Sequence, residues 1–105
     1  MAENNQTAKT GKMEIELPQE EASGTYSNLV MITHSPSEFI LDFISVMPGV
    51  PKVKVTKRMV LTPDHAKRLA GALTDNVERF EEEHGVINIR ERVEIPMYRG
   101  PQAQA

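Results

Sequence analysis

From Met13 to Leu61 apolar side chains recur mostly at every second position, and then the spacing changes. In "MEIELP", Met13, Ile15 and Leu17 alternate with Glu14 and Glu16 until Pro18 ends the run, the pattern of a short edge strand. "TYSNLVMITHS" sets Leu29 and Met31 against Val30 and Ile32, so both faces of this strand are expected to be covered. Pro36, which lacks an N–H donor, and the serines beside it predict a turn. "EFILDFISVM" then puts Phe39, Leu41 and Phe43 on one side and Ile40, Asp42, Ile44 and Val46 on the other; its period and branched residues favour a strand over a helix. After the turn "PGVP", "KVKVTKRMVLT" alternates Val53, Val55, Met59 and Leu61 with Lys52, Lys54, Thr56 and Arg58. This is a half-exposed strand whose wet face is basic.

From Thr62 the period becomes helical. Thr62 suits an N-cap, Pro63 the first helical position, and Asp64 the first turn, where a negative charge meets the positive end of the helix dipole. Ala66, Leu69, Ala70, Leu73, Val77 and Phe80 form one apolar stripe, and Gly85 is placed to end the helix. "VINIRERVEI" returns to alternation, with Ile87, Ile89, Val93 and Ile95 on one side, and reads as an extended arm in want of a partner edge.

These elements predict an α+β fold. Three long strands form an antiparallel sheet with a short N-terminal edge strand, one long helix covers one face, and an extended arm follows. The expected division is a disordered tail over 1–12, a single domain over 13–86, and the arm and tail over 87–105. One helix covers one face, which leaves Val30, Ile32, Ile40, Ile44 and Val46 as candidates for an apolar patch on the other. Such a patch rarely stays exposed in a soluble monomer, so a protein partner or a second copy is expected there, unless the arm folds back over it.

Composition sharpens this. The chain has 105 residues, room for one small domain but not for a large enclosed substrate cavity. It has 5% aromatics and no Trp, so the core must come from aliphatic side chains and Met. With no Cys, disulfides, thiolate metal sites and thiol nucleophiles are excluded, and a reducing compartment such as the cytoplasm is expected. Neither a signal-peptide stretch nor a run approaching the ~18 apolar residues of a membrane helix is present, and no membrane association is expected.

Charge is unevenly spread. Residues 1–50 carry 2 basic and 7 acidic groups, net -5; residues 51–70 carry 6 and 1, net +5; residues 71–105 carry 4 and 7, net -3. Lys52, Lys54, Lys57 and Arg58 therefore form a candidate contact for nucleic acid or an acidic protein. A solvated strand face explains them equally well, because no aromatic is interleaved for base stacking and no nucleic-acid signature is present. Glu81, Glu82 and Glu83 crowd the helix C-terminus, where the dipole disfavours them.

A three-histidine metal site is excluded if the helix is continuous, since His65 and His84 are nineteen residues, roughly 28 Å, apart on it. A smaller grouping remains. In a three-strand meander the first turn and the end of the third strand share a sheet edge, which brings His34, Ser35, Ser37 and Glu38 near Thr62, Asp64, His65 and Lys67. The grouping could hold an anion at the helix N-terminus or a general base, but turns and caps require the same residue types. No catalytic residue and no cofactor is assigned.

"YSNLVMITHSPSEFILDF" and "RMVLTPDHAKRLAGALTDNVERFEEEHG" resemble the small bacterial domain of unknown function numbered 3467. The resemblance rests on Tyr26 and Asn28, the His-Ser-Pro-x-Glu-Phe turn from His34 to Phe39, Asp42-Phe43, and the Thr-Pro-x-His-Ala-Lys-Arg-Leu helix start with Asn76 and Phe80 downstream. It covers residues 24–86 and implies no activity, because the family has none assigned. In some bacteria its genes lie beside those for the large subunits of RNA polymerase, which implies a transcription-associated accessory protein. The combined expectation is a non-enzymatic interaction module acting through its free sheet face and its arm, with a nucleic-acid-binding homodimer as the alternative.

Overall fold

The computed structural model describes residues 6–10, 13–89 and 103–104. Strands β1 (Gln6–Thr10) and β2 (Met13–Leu17) form an antiparallel hairpin, and a single 3-10 turn (Gln19–Glu21) follows. Strands β3 (Leu29–His34), β4 (Phe39–Ile44) and β5 (Val55–Leu61) form the expected antiparallel meander, and α1 (Pro63–His84) begins after the single residue Thr62. A two-residue strand, β6 (Ala103–Gln104), pairs with the outer edge of β3. The fold is therefore α+β, a three-stranded meander followed by one long helix.

The expected edge strand is real but sits elsewhere. β2 pairs with β1 in a separate two-stranded sheet and does not join the meander. Pairing with the run that is adjacent in the chain costs less chain entropy than reaching a distant sheet edge. Both β1 and β6 lie in stretches expected to be tails.

Register decides what each face carries, because directly opposed residues share a face. Leu29, Met31 and Thr33 lie opposite Ile44, Asp42 and Ile40, while Val30, Ile32 and His34 lie opposite Phe43, Leu41 and Phe39. On β5, Leu61, Met59 and Lys57 continue the second face, and Val60 and Arg58 continue the first. The patch expected from Val30, Ile32, Ile40 and Ile44 is thus divided. Ile40 and Ile44 lie on the first face, whereas Val30 and Ile32 lie on the second. The sequence shows alternation within each strand but not the register between strands.

A bulge adds one more change of side. Phe43 pairs with Lys57 and Ile44 with Val55, so Thr56 is extra, and its hydroxyl donates to the Phe43 carbonyl at 2.8 Å. The inserted residue returns Val55 to the face of Ile44, away from Met59 and Leu61, which overturns the simple alternation read along this strand.

The first face holds the small core: Leu29, Met31 and Ile44 are buried, and Val46 and Val53 pack against them. Asn28 closes one end of it by acting as a strand partner, its Oδ1 accepting from Val46 N at 2.8 Å and its Nδ2 donating to Val46 O at 3.0 Å. Ser27 Oγ lies within donating distance of both Leu29 O and Ile44 O. In the middle of this face Asp42 is only 1% exposed. Arg58, directly across on β5, donates Nε to Oδ1 at 2.7 Å and Nη2 to Oδ2 at 2.9 Å. The bidentate fork supplies what a buried carboxylate needs, two charge-assisted donors in its own plane. Those donors hold the Asp42 carboxyl below its usual range, against the upward push of burial.

The pair is asymmetric, since the Arg58 side chain is 60% exposed and that of Asp42 only 2%. Arg58→Met, which leaves a buried carboxylate unpaired, is expected to destabilise the chain by about 3 kcal/mol at pH 7. Asp42→Asn, which leaves an arginine that water can reach, should cost less. A group with a lowered folded-state pKa contributes stability that is present above its unfolded value, about 3.9, and is lost as pH falls through the folded one. Without Arg58 only the upward push of burial remains on Asp42, so the variant's carboxyl takes up its proton at higher pH than the wild type's. The gap between the two should therefore narrow as pH falls from 7 to 3.5. Urea titrations of the three proteins at pH 7 and pH 3.5 check this, and a gap independent of pH would contradict the assignment.

Candidate interaction surface

The second sheet face, carrying Val30, Ile32, Phe39, Leu41, Phe43, Met59 and Leu61, is the side toward which α1 turns. Thr62 caps the helix by accepting from His65 N at 3.3 Å, Pro63 occupies its first turn, and Gly85 ends it at φ +95°. The helix is 22 residues long and none of them is buried. The expected single stripe is present, but it does not close down on the sheet as a covering helix would. Leu69 is 40%, Leu73 60%, Val77 37% and Phe80 49% exposed.

What lies between helix and sheet is an open groove of about 570 Å³. Its floor is Ile32, Phe39, Leu41 and Leu61, and its helix wall runs through Ala66, Leu69, Ala70 and Leu73. Past Leu73 the trough continues to Val77 and Glu78, where its lining comes from α1 alone. The alanines explain the open shape, since small side chains on the wall leave the space that larger ones would fill. A groove of this size, apolar on both sides apart from Lys67 on its helix wall, offers burial.

The expected edge grouping is only partly assembled. His34 stacks on Phe39, with ring centroids 5.3 Å apart, and Ser35 N donates to Glu38 O at 2.9 Å to close the turn. Phe39 pairs with Leu61, so this turn and the start of α1 do share one sheet edge. The chemistry there is local, however. Thr62 Oγ1 donates to Asp64 Oδ1 at 2.7 Å, and Arg68 approaches Asp64 Oδ2 at 3.1 Å. The Thr62 hydroxyl first, and then Arg68, hold the Asp64 carboxyl below its usual range. His65 contributes its backbone N–H to the cap. No interaction links His34 or Glu38 to Asp64 or His65 among the described residues. His84 lies at the far end of α1 beside Phe80, with ring centroids 4.8 Å apart, and no group of three metal-ligating side chains occurs among the described residues.

The basic residues do not make one face. Lys52 and Lys54 precede β5, in the connection from β4. Lys57 lies on the helix side of the sheet and Arg58 on the other, where Asp42 neutralises it. The register and the bulge separate what strict alternation placed together. Of the arm residues, Ile87 and Ile89 are exposed beyond the helix, 43% and 92% respectively, while Val93 and Ile95 lie outside the described residues. Glu81 Oε2 accepts from Ile87 N at 2.9 Å and fixes the chain as it leaves α1.

Two features escaped the sequence reading. The Asp42–Arg58 pair was signalled by a lone acid in an otherwise apolar alternating run, but its partner depends on register. The groove was signalled by alanines on the stripe, Ala66 and Ala70, at the end of the helix nearest the sheet.

No helix among the described residues is long and apolar enough to cross a membrane. Comparison with curated proteins finds no match, and comparison with solved structures finds none. A family model described as a protein of unknown function, DUF3467, matches residues 1–89, which is most of the chain and includes the hairpin, the meander and α1. The chain belongs to the DUF3467 family.

Proposed function

We propose that this chain is a non-enzymatic protein-interaction module, an accessory component of the transcription machinery that works through contacts with other subunits. One observation carries the reading: four large apolar side chains of α1 stand 37–60% exposed beside an apolar sheet face. Leaving that surface in water costs roughly 25 cal/mol per Å², so a partner that covers it is favoured. The transcriptional setting, with RNA polymerase as the assembly, is supported by the gene neighbourhood that the family resemblance implies. A cytoplasmic site of action accords with a chain free of cysteine.

Affinity purification of the full chain from native cells, followed by mass spectrometry, should recover RNA polymerase subunits. Leu73→Asp with Val77→Asp should abolish that recovery while shifting stability by no more than about 1 kcal/mol, because both side chains are already exposed. Recovery of the wild-type chain alone and monomeric would overturn the reading.

Nucleic-acid binding through Lys52, Lys54, Lys57 and Arg58 has less in its favour, given their dispersal and the pairing of Arg58 with Asp42. A fluorescence titration with duplex DNA at low salt should show no binding. Binding that weakens steeply as salt rises would reinstate it.

A further inference from the structure

We propose that the groove between α1 and the sheet is filled by the second half of α1 from another copy of this chain, the two helices running antiparallel about a two-fold axis. The proposal rests on the interaction-module reading and names the first occupant of the surface. Ala66, Ala70, Leu73, Val77, Phe80 and His84 recur at intervals of four, three, four, three and four residues, the spacing of a coiled-coil seam. The two ends of that seam differ. Its first half carries the alanines and faces the sheet across a groove that is open among the described residues. Its second half carries Val77 and Phe80 and has no sheet beside it.

An antiparallel pair centred beside Asp75 joins the unlike ends. Ala66 then meets the partner's His84, Ala70 meets the partner's Phe80, and Leu73 meets the partner's Val77. Small faces large in each outer layer, as interdigitated packing requires. The Phe80 and His84 rings of each copy, tilted against one another, enter the other copy's groove over Ile32, Phe39 and Leu41. A parallel pair would instead put alanine on alanine, leaving voids, and Phe80 on Phe80.

Charge selects the same arrangement. Lys67 and Glu81 flank the seam on the same side, fourteen residues apart, and antiparallel pairing brings each beside the other in the partner. Lys67 has no ion-pair partner among the described residues, and Glu81 uses one oxygen, Oε2, for Ile87 N. Parallel pairing would set the acidic run Glu81 to Glu83 against itself.

The absence of native cysteine allows a direct test in the full chain. Leu73→Cys chains mixed with Val77→Cys chains should give a crosslinked mixed dimer on mild oxidation, while Ala66→Cys chains alone should give none, their thiols lying roughly 27 Å apart along the helices. In sedimentation velocity the wild type should be a dimer. Lys67→Glu should raise its dissociation constant about tenfold, as two attractive pairs become repulsive, and Lys67→Glu combined with Glu81→Lys should restore it. Crosslinking of Ala66→Cys to itself, or a charge reversal that the second substitution does not rescue, would overturn the antiparallel pair. A monomer that nevertheless recovers other proteins from cells would overturn this proposal and leave the interaction-module reading standing. A monomer that recovers nothing would overturn both.

Discussion

The pairing of Asp42 with Arg58 across β4 and β5 fixes which side of the sheet every neighbouring residue occupies. A strand that slips by one residue turns its whole apolar set to the opposite face, so an interaction that admits only one register has consequences far from itself. Were Asp42 to face Lys57 or Met59 instead, the buried carboxylate would lose its two guanidinium donors. Leu61 and Met59 would also leave the side toward which α1 turns. The bulge at Thr56 completes the constraint by returning Val55 to the face of Ile44. An ion pair with one buried partner is weak evidence for net stability, but a fork that only one register satisfies disfavours slipped pairings.

The three strands of the meander, their order, the start of the helix at Thr62 and its stop at Gly85 were legible in the sequence because each rests on local chemistry. Alternation, Pro36, the N-cap and a C-terminal glycine act within a few residues. The composition of each face was not legible in the same way. Val30 and Ile40 look equivalent along the chain, and only the pairing of β3 with β4 shows that they lie on opposite sides. The basic cluster failed for the same reason, compounded by the bulge, because strict alternation assigns Lys52, Lys54 and Arg58 to one side only if no residue is inserted between them. The groove was half legible: the stripe was plain, but whether it closes on its own sheet depends on the angle at which α1 leaves β5.

That angle leaves the monomer short of buried surface. Among the described residues Leu29, Met31 and Ile44 are the buried hydrophobic side chains, and all three lie on the face away from α1. A domain of this size is marginal even when its core is well filled, since surface grows relative to volume as chains shorten. In the proposed helix pair, the two apolar surfaces that face one another across the groove, one on α1 and one on the sheet, complete their core with a second molecule. On this view the apolar stripe is a core face whose other half belongs to another chain.

The charge along α1 bears on how that second molecule is oriented. Within one chain the acidic run from Glu81 to Glu83 sits at the negative end of the helix dipole, at a cost of about 0.3–1 kcal/mol for each charge in the last turn. His84 is the basic residue of that turn, and Gly85 follows at once, so α1 itself offers little relief. An antiparallel neighbour changes the balance, because it brings the positive end of its own helix dipole, with Lys67 close by, alongside the acidic end. The dipoles of the two helices then oppose one another, and the charges that burden each helix alone become attractive across the pair. An acidic C-terminal turn that is unfavourable in the monomer thus becomes a device for direction, discouraging parallel association more than it weakens the fold.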